Sequence, residues 1–151
     1  MNKNEFITSY LDDFSDLVKP DEAIVIQLVA IADLIRLVSR KGNKIIIFGN
    51  GGSAAMASHF SVDLTKNTGL RCVNYNEADL ITCFANDYGF EHWVKKAVDF
   101  YGDEGDLLVV ISSSGSSMNM VNGVKAARNG QFKAVVTLSG FDKDNPLCQL
   151  G

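Results

Sequence analysis

His59 and Asp63 stand four residues apart within Ala54 to Leu64, a segment whose composition favours helix. At that spacing an imidazole and a carboxylate share one helix face. Such a pair can bind a divalent metal or serve as acid and base; the plainer reading is a local hydrogen-bonded pair at a helix surface. Directly upstream lies Gly49-Asn50-Gly51-Gly52-Ser53. Glycines permit close backbone approach, and a turn that opens a helix presents free N–H groups to an anion, phosphate above all. By itself an ordinary tight turn would explain this stretch. A second polar run, Ser112-Ser113-Ser114-Gly115-Ser116-Ser117, carries hydroxyls that can cap a helix and donate to phosphate oxygens. Together the two runs predict one phosphorylated ligand, held by Asn50, Gly51, Gly52 and Ser53 on one side and by Ser112, Ser113, Ser114 and Ser117 on the other. Asn86-Asp87 before Tyr88-Gly89 reads as turn chemistry, His92 and Trp93 as helix packing, and Lys66 and Arg71 as solvated surface charge.

The elements around these residues have a regular plan. Lys44 to Phe48 and Leu107 to Ile111 are short apolar runs of the kind that form buried parallel strands, and each leads into one of the two polar turns. Arg71 to Tyr75 and Phe132 to Ser139 read as two further strands. Between them, helices are predicted over Glu77–Phe84, Glu91–Tyr101 and Ser117–Asn129, the last stopped by Asn129-Gly130. Strands alternating with helices predict an α/β fold: a three-layer parallel sheet with helices on both faces, whose ligands sit beyond the strand C-termini. Ahead of this core, Phe6, Ile7, Tyr10, Leu11, Phe14, Leu17 and Val18 give residues 5–18 one apolar helical face. Asp21 to Arg40 is apolar almost all round, with a narrow polar edge at Asp33, Arg36 and Arg40. Such a helix must be covered on more than one side, so residues 1–41 are expected to form an N-terminal helical pair used in oligomer packing; the alternative is a helix sandwiched within its own monomer.

The chain has 151 residues, 46% hydrophobic and 21% charged, which suits one globular domain over 1–151 with its α/β core over 42–151. A net charge of −4 and the lack of a basic tract argue against a nucleic-acid partner. No stretch is long and charge-free enough to span a bilayer, and the N-terminus lacks a signal-peptide pattern. Three cysteines, Cys72, Cys83 and Cys148, have no metal-motif spacing and read as free thiols in a reducing cytoplasm. The segment from Asp144 to Gly151 reads as the start of another helix, after which a further strand and helix would be the natural continuation.

Three stretches in order, GNGGSAAMASHF, CFANDYGF and GDLLVVISSSGSSMN, resemble the sugar isomerase (SIS) domain family, within it the phosphoheptose isomerase branch. The resemblance runs from the N-terminal helices to the end of the chain. It implies aldose–ketose isomerisation through an enediol, of sedoheptulose 7-phosphate to a heptose 7-phosphate, in a homo-oligomer (dimer or tetramer). It implies substrate contacts at Asn50, Gly51, Gly52, Asn86, Asp87, Ser112, Ser113, Ser114 and Ser117. His59 matches a zinc ligand of that branch, and Asp63 stands where the branch has a glutamate that serves as base and metal ligand. Asp63 is one methylene shorter, about 1.5 Å of reach, and misplacement of that order can cost on the order of a hundredfold in rate. The branch also uses a glutamine and a histidine from a last long helix, before which this sequence stops. Two expectations therefore stand side by side: an isomerase, or a SIS domain that binds a phosphosugar or docks a protein without turnover. A dinucleotide-binding domain is disfavoured, because no G-x-G-x-x-G fingerprint is present.

Overall fold

A computed structural model describes residues 2–151. The chain divides into two compact units, one up to Leu34 and one from Ile35 to Gly151. The first contains helix α1 (Lys3–Leu17) and most of helix α2 (Glu22–Arg40). Asn2 opens α1 with a reciprocal capping box: its side chain accepts from the Glu5 N–H at 2.9 Å, and the Glu5 carboxylate accepts from the Asn2 N–H at 2.8 Å. The apolar face read from the sequence is present but uncovered. No residue of α1 is buried, and Phe6, Tyr10, Leu11 and Phe14 are each more than half exposed. In α2 only Ile35 and Val38 are buried, while Ile26, Leu28 and Val29 stay open.

The second unit is the α/β core. Strand β1 (Ile45–Gly49) is followed by α3 (Gly52–Thr68) and a two-residue strand β2 (Cys72–Val73). Helix α4 (Ala78–Tyr88), a 3₁₀ turn (Phe90–His92) and α5 (Trp93–Tyr101) lead to β3 (Leu107–Ser112). Helix α6 (Met118–Asn129), β4 (Ala134–Ser139) and the short α7 (Pro146–Leu150) complete the described chain. The strands form one parallel sheet in the order β2-β1-β3-β4. Strand β4 begins two residues later than read from the sequence, and the helix read from Glu91 opens as the 3₁₀ turn; two other boundaries differ more. The second strand pairs over two residues rather than five, and α4 continues through Asn86, Asp87 and Tyr88 before ending at Gly89, whose φ of 89° turns the chain away.

Alternation along β1 and β3 divides their side chains between two layers. Ile46, Phe48, Leu108 and Val110 pack with Trp93, Val94, Met120 and Val124 from α5 and α6 in one core. Helix α3 lies against β1 and β2 and contributes buried Ala57. The turns after β1 and β3 thus feed helices on opposite faces. No helix among the described residues is long and apolar enough to cross a membrane.

At the N-terminal ends of the strands a charged cluster locks β1 to β3. Lys44 Nζ lies 2.5 Å from Asp106 Oδ2 and 2.6 Å from Asp103 Oδ2, while the Lys44 and Asp103 N–H groups both donate to the Asp106 carboxylate at 2.9 Å. Burial alone would lower the Lys44 pKa, but the two carboxylates outweigh it and hold it above its ordinary 10.5. The hydrogen bond from Lys44 holds Asp103 below its ordinary 3.8. The raised Lys44 stabilises the fold at neutral pH, and that contribution is lost as pH rises through its raised value. The depressed Asp103 also contributes at neutral pH, and loses its contribution as pH falls through its lowered value. Asp106→Asn leaves a buried ammonium short of its partner, with an expected loss of about 3–5 kcal/mol in denaturant titrations. A loss below about 1 kcal/mol would show that the cluster is solvated instead.

Candidate functional site

The site is built on a tight exit from β1. A Cβ on Gly49 would lie 2.5 Å from the Ser53 carbonyl carbon and oxygen, so only glycine lets the strand end turn this closely into α3. Gly51 then takes a positive φ of 53° as the N-cap, and no side chain caps the helix. The Asn50 carbonyl accepts from the Ser53 and Ala54 N–H groups at 3.0 and 3.3 Å. Two of the first three N–H groups of α3 are thereby engaged, and that of Gly52 is left at the electropositive helix end.

The second turn leaves β3 at the same level, since Gly49 pairs with Ile111 in the parallel ladder. Ser112 is buried, Ser113 is exposed, and Ser114 and Ser117 are half-buried. Ser117 is the N-cap of α6, but its hydroxyl makes no capping hydrogen bond, contrary to the expected dual role. Its oxygen and the first N–H groups of α6 face no competing side-chain cap. Ser114 Oγ accepts from the Ser116 N–H at 3.3 Å. The turn is pinned from behind. A Cβ on Gly115 would fall 1.9 Å from Asn145 Oδ1, and the Gly115 carbonyl accepts from the Leu147 N–H at 3.0 Å.

Strand order reverses between β1 and β3, because β1 is followed outward by β2 and β3 by β4. Open α/β sheets hold ligands in the crevice at such a point, beyond the strand C-termini. Both polar turns flank it, as the sequence reading required. One residue that reading did not single out joins them. Asn119, 3% exposed at the start of α6, exchanges two hydrogen bonds with Asn50: Asn50 Nδ2 donates to Asn119 Oδ1 at 3.0 Å, and Asn119 Nδ2 donates to Asn50 Oδ1 at 2.9 Å. Each amide keeps one N–H and one lone pair in reserve. The signal was a polar amide at a helical position otherwise surrounded by core residues.

His59 and Asp63 do come together on α3, with Nε2 at 3.5 Å from Oδ2. Their side chains are 80% and 53% exposed, and Asp63 Oδ1 also accepts from Asn67 Nδ2 at 3.4 Å. A catalytic zinc uses three protein ligands and one open position. Among the described residues no group of three or more His, Cys, Asp or Glu is gathered. Among the described residues the expected metal pair, His59 and Asp63, is thus one ligand short of a zinc site. Asn86 and Asp87 occupy the last turn of α4, where Asn86 Nδ2 donates to Asp87 Oδ1 at 2.9 Å and Cys83 Sγ lies 3.8 Å from Asp87 Oδ2.

Comparison with known proteins agrees with this architecture. The SIS domain family matches residues 9–140. A phosphoheptose isomerase of Fusobacterium nucleatum is 35% identical over 145 residues, spanning 91% of this chain and 73% of the relative. One from Enterobacter sp. is 36% identical over 127 residues, spanning 81% of this chain and 66% of the relative. The chain therefore spans about two thirds to three quarters of these relatives' length. The structure of phosphoheptose isomerase GmhA from Neisseria gonorrhoeae superposes with a TM-score of 0.89 at 33% identity, covering 99% of this chain and 82% of that one. The paired turns at the strand reversal, the residues that build them and these likenesses together place the chain in the SIS domain family, in its phosphoheptose isomerase branch.

Proposed function

We propose that this protein is a phosphosugar isomerase that interconverts sedoheptulose 7-phosphate and the corresponding aldoheptose 7-phosphate. The observation that carries the reading is the strand reversal between β1 and β3, where the glycine turn and the serine turn leave the sheet at one level and open two helices that no side chain caps. Such an arrangement favours a dianion tethered to a neutral chain. Ser112, Ser113, Ser114 and Ser117 hold the phosphate. Asn50, Gly51, Gly52, Ser53, Asn86 and Asp87 orient the sugar.

The chemistry is a proton shift between adjacent carbons. Asp63 takes the proton from C1 of the ketose as the C2 oxygen gains one, which gives the enediol; the C1 hydroxyl then returns a proton to His59 as Asp63 delivers its own to C2, which gives the aldose. His59, within 3.5 Å of Asp63, donates to the oxygen on which negative charge develops. A second reading, a phosphosugar-binding or protein-docking SIS domain without turnover, is favoured by one observation: Asp63 stands where the branch has a glutamate one methylene longer, and both it and His59 are open to water. Zinc would require a further ligand to complete the pair.

The uncovered faces of α1 and α2 support a homo-oligomer, dimer or tetramer, because apolar surface repeated along two helices is costly to leave in water. A phosphorylated sugar is the small-molecule partner, and neither nucleic acid nor membrane is invoked. Three free thiols, two of them exposed, support a reducing cytoplasm.

Conversion of sedoheptulose 7-phosphate, assayed with and without added zinc, decides between the two readings; binding without conversion in either condition selects the non-catalytic one. Ser114→Phe fills the second turn and abolishes sugar-phosphate binding in calorimetry, whereas unchanged affinity would remove that turn from the site. If Asp63 is the base, Asp63→Glu raises turnover, up to about a hundredfold if reach is limiting. Val25→Asp with Leu28→Asp converts an oligomer to monomers in sedimentation; a wild type that already sediments as a monomer refutes the assembly.

A further inference from the structure

The serine turn leans on a distant segment, residues 139–147, which leaves β4 and enters α7. Two backbone bonds join them. The Gly140 N–H donates to the Ser113 carbonyl at 3.0 Å, and the Leu147 N–H donates to the Gly115 carbonyl at 3.0 Å. Ser114 is thus held between two pinned neighbours. All peptide bonds among the described residues are trans. A trans peptide sets its carbonyl and its N–H in opposite directions. With the Ser113 and Gly115 carbonyls turned to the segment, the N–H groups of Ser114 and Ser116 point away from it. The Ser116 N–H meets Ser114 Oγ at 3.3 Å, so the Ser114 hydroxyl stands on that same side.

Asn145, 6% exposed, fills the contact between segment and turn. Its side chain takes the space that a Cβ on Gly115 would need, and only glycine fits there at a φ of 62°. Its polar atoms are spent within its own segment. Oδ1 accepts from the Cys148 N–H at 2.9 Å, and Nδ2 donates to Ser139 Oγ at 2.9 Å and to the Asp142 carbonyl at 2.6 Å. Three bonds to one amide fix its orientation, and a fixed amide limits how far the Gly115 backbone can rock. Capping α7 needs only Oδ1. The two bonds of Nδ2 and the contact with Gly115 go beyond that task.

We propose that Asn145 is a positioning residue for the anion-binding turn: by bracing Gly115 it holds the Ser114 N–H and hydroxyl on the side where the phosphate binds. The inference rests on the phosphosugar reading above and adds to it a residue set behind the turn rather than against the substrate. Binding groups keep their geometry when the residues behind them are themselves locked, and Asn145 meets that condition.

The test uses the full chain, with inorganic phosphate and sedoheptulose 7-phosphate as separate probes in calorimetry. Asn145→Ala removes the brace. The affinities for both probes fall by the same factor, about tenfold, the loss of one hydrogen bond to an anion, because the weakened grip is on the group they share. Without ligand, the ¹⁵N amide signals of Ser113, Ser114 and Gly115 move in the variant, while those of Gly51, Gly52 and Ser53 stay in place. A general loosening of the fold would move both turns. Asn145→Ser keeps an oxygen for the Cys148 N–H and so preserves the cap of α7, and it shows a loss in the same direction. Wild-type affinity in either variant overturns the positioning role and leaves the proposed function standing. A loss confined to sedoheptulose 7-phosphate also overturns it, because Asn145 would then act on the sugar. A wild-type chain that binds neither probe overturns both.

Discussion

Everything at the crevice depends on how closely β1 can turn into α3. The Gly49 Cα sits against the Ser53 carbonyl with no space for a side chain, and this approach sets the direction of α3 and the height at which its first N–H groups emerge. The parallel ladder then carries that height across to Ile111, so the serine turn begins level with the glycine turn. The Asn50–Asn119 amide pair closes the geometry across the sheet. The two amides satisfy each other and resist separation, since parting them would leave the buried Asn119 short of its partners. The result is a pair of polar turns held level with each other, opening helices on opposite faces of the sheet.

The opposite end of the strands is held by different means. Lys44 and Asp106 precede β1 and β3 and bind each other through both backbone and side chain. A buried pair of this kind is weak evidence for net stability, yet breaking it is costly. Its effect is to fix the relative register of the two central strands from below, and the crevice above inherits that register. Pairing at one end and a glycine turn at the other leave little freedom for the site to drift.

The N-terminal helices follow another logic. The stripe of Phe6, Tyr10, Leu11 and Phe14 and the open residues of α2 are too apolar for a solvated surface, and the second unit already has a full core of its own. The assembly proposed above would cover them.

Much of this was legible in the residue order. The apolar runs at Lys44–Phe48 and Leu107–Ile111, the glycine and serine turns after them, and the helical periodicities between them determined the parallel α/β plan, because strand burial and helix initiation are local requirements. His59 and Asp63 were bound to share a face by helical pitch alone. The limit of α4 was misread at Asn86-Asp87, where turn-forming residues were carried along as the last turn of a helix ending at Gly89. What the tertiary structure alone decided is which distant groups meet: Asn50 with Asn119, Gly115 with Asn145, Asn76 and Trp93 around one cavity. Those meetings depend on strand order and on the face to which each helix returns, and no local pattern of side chains encodes a neighbour 69 residues away.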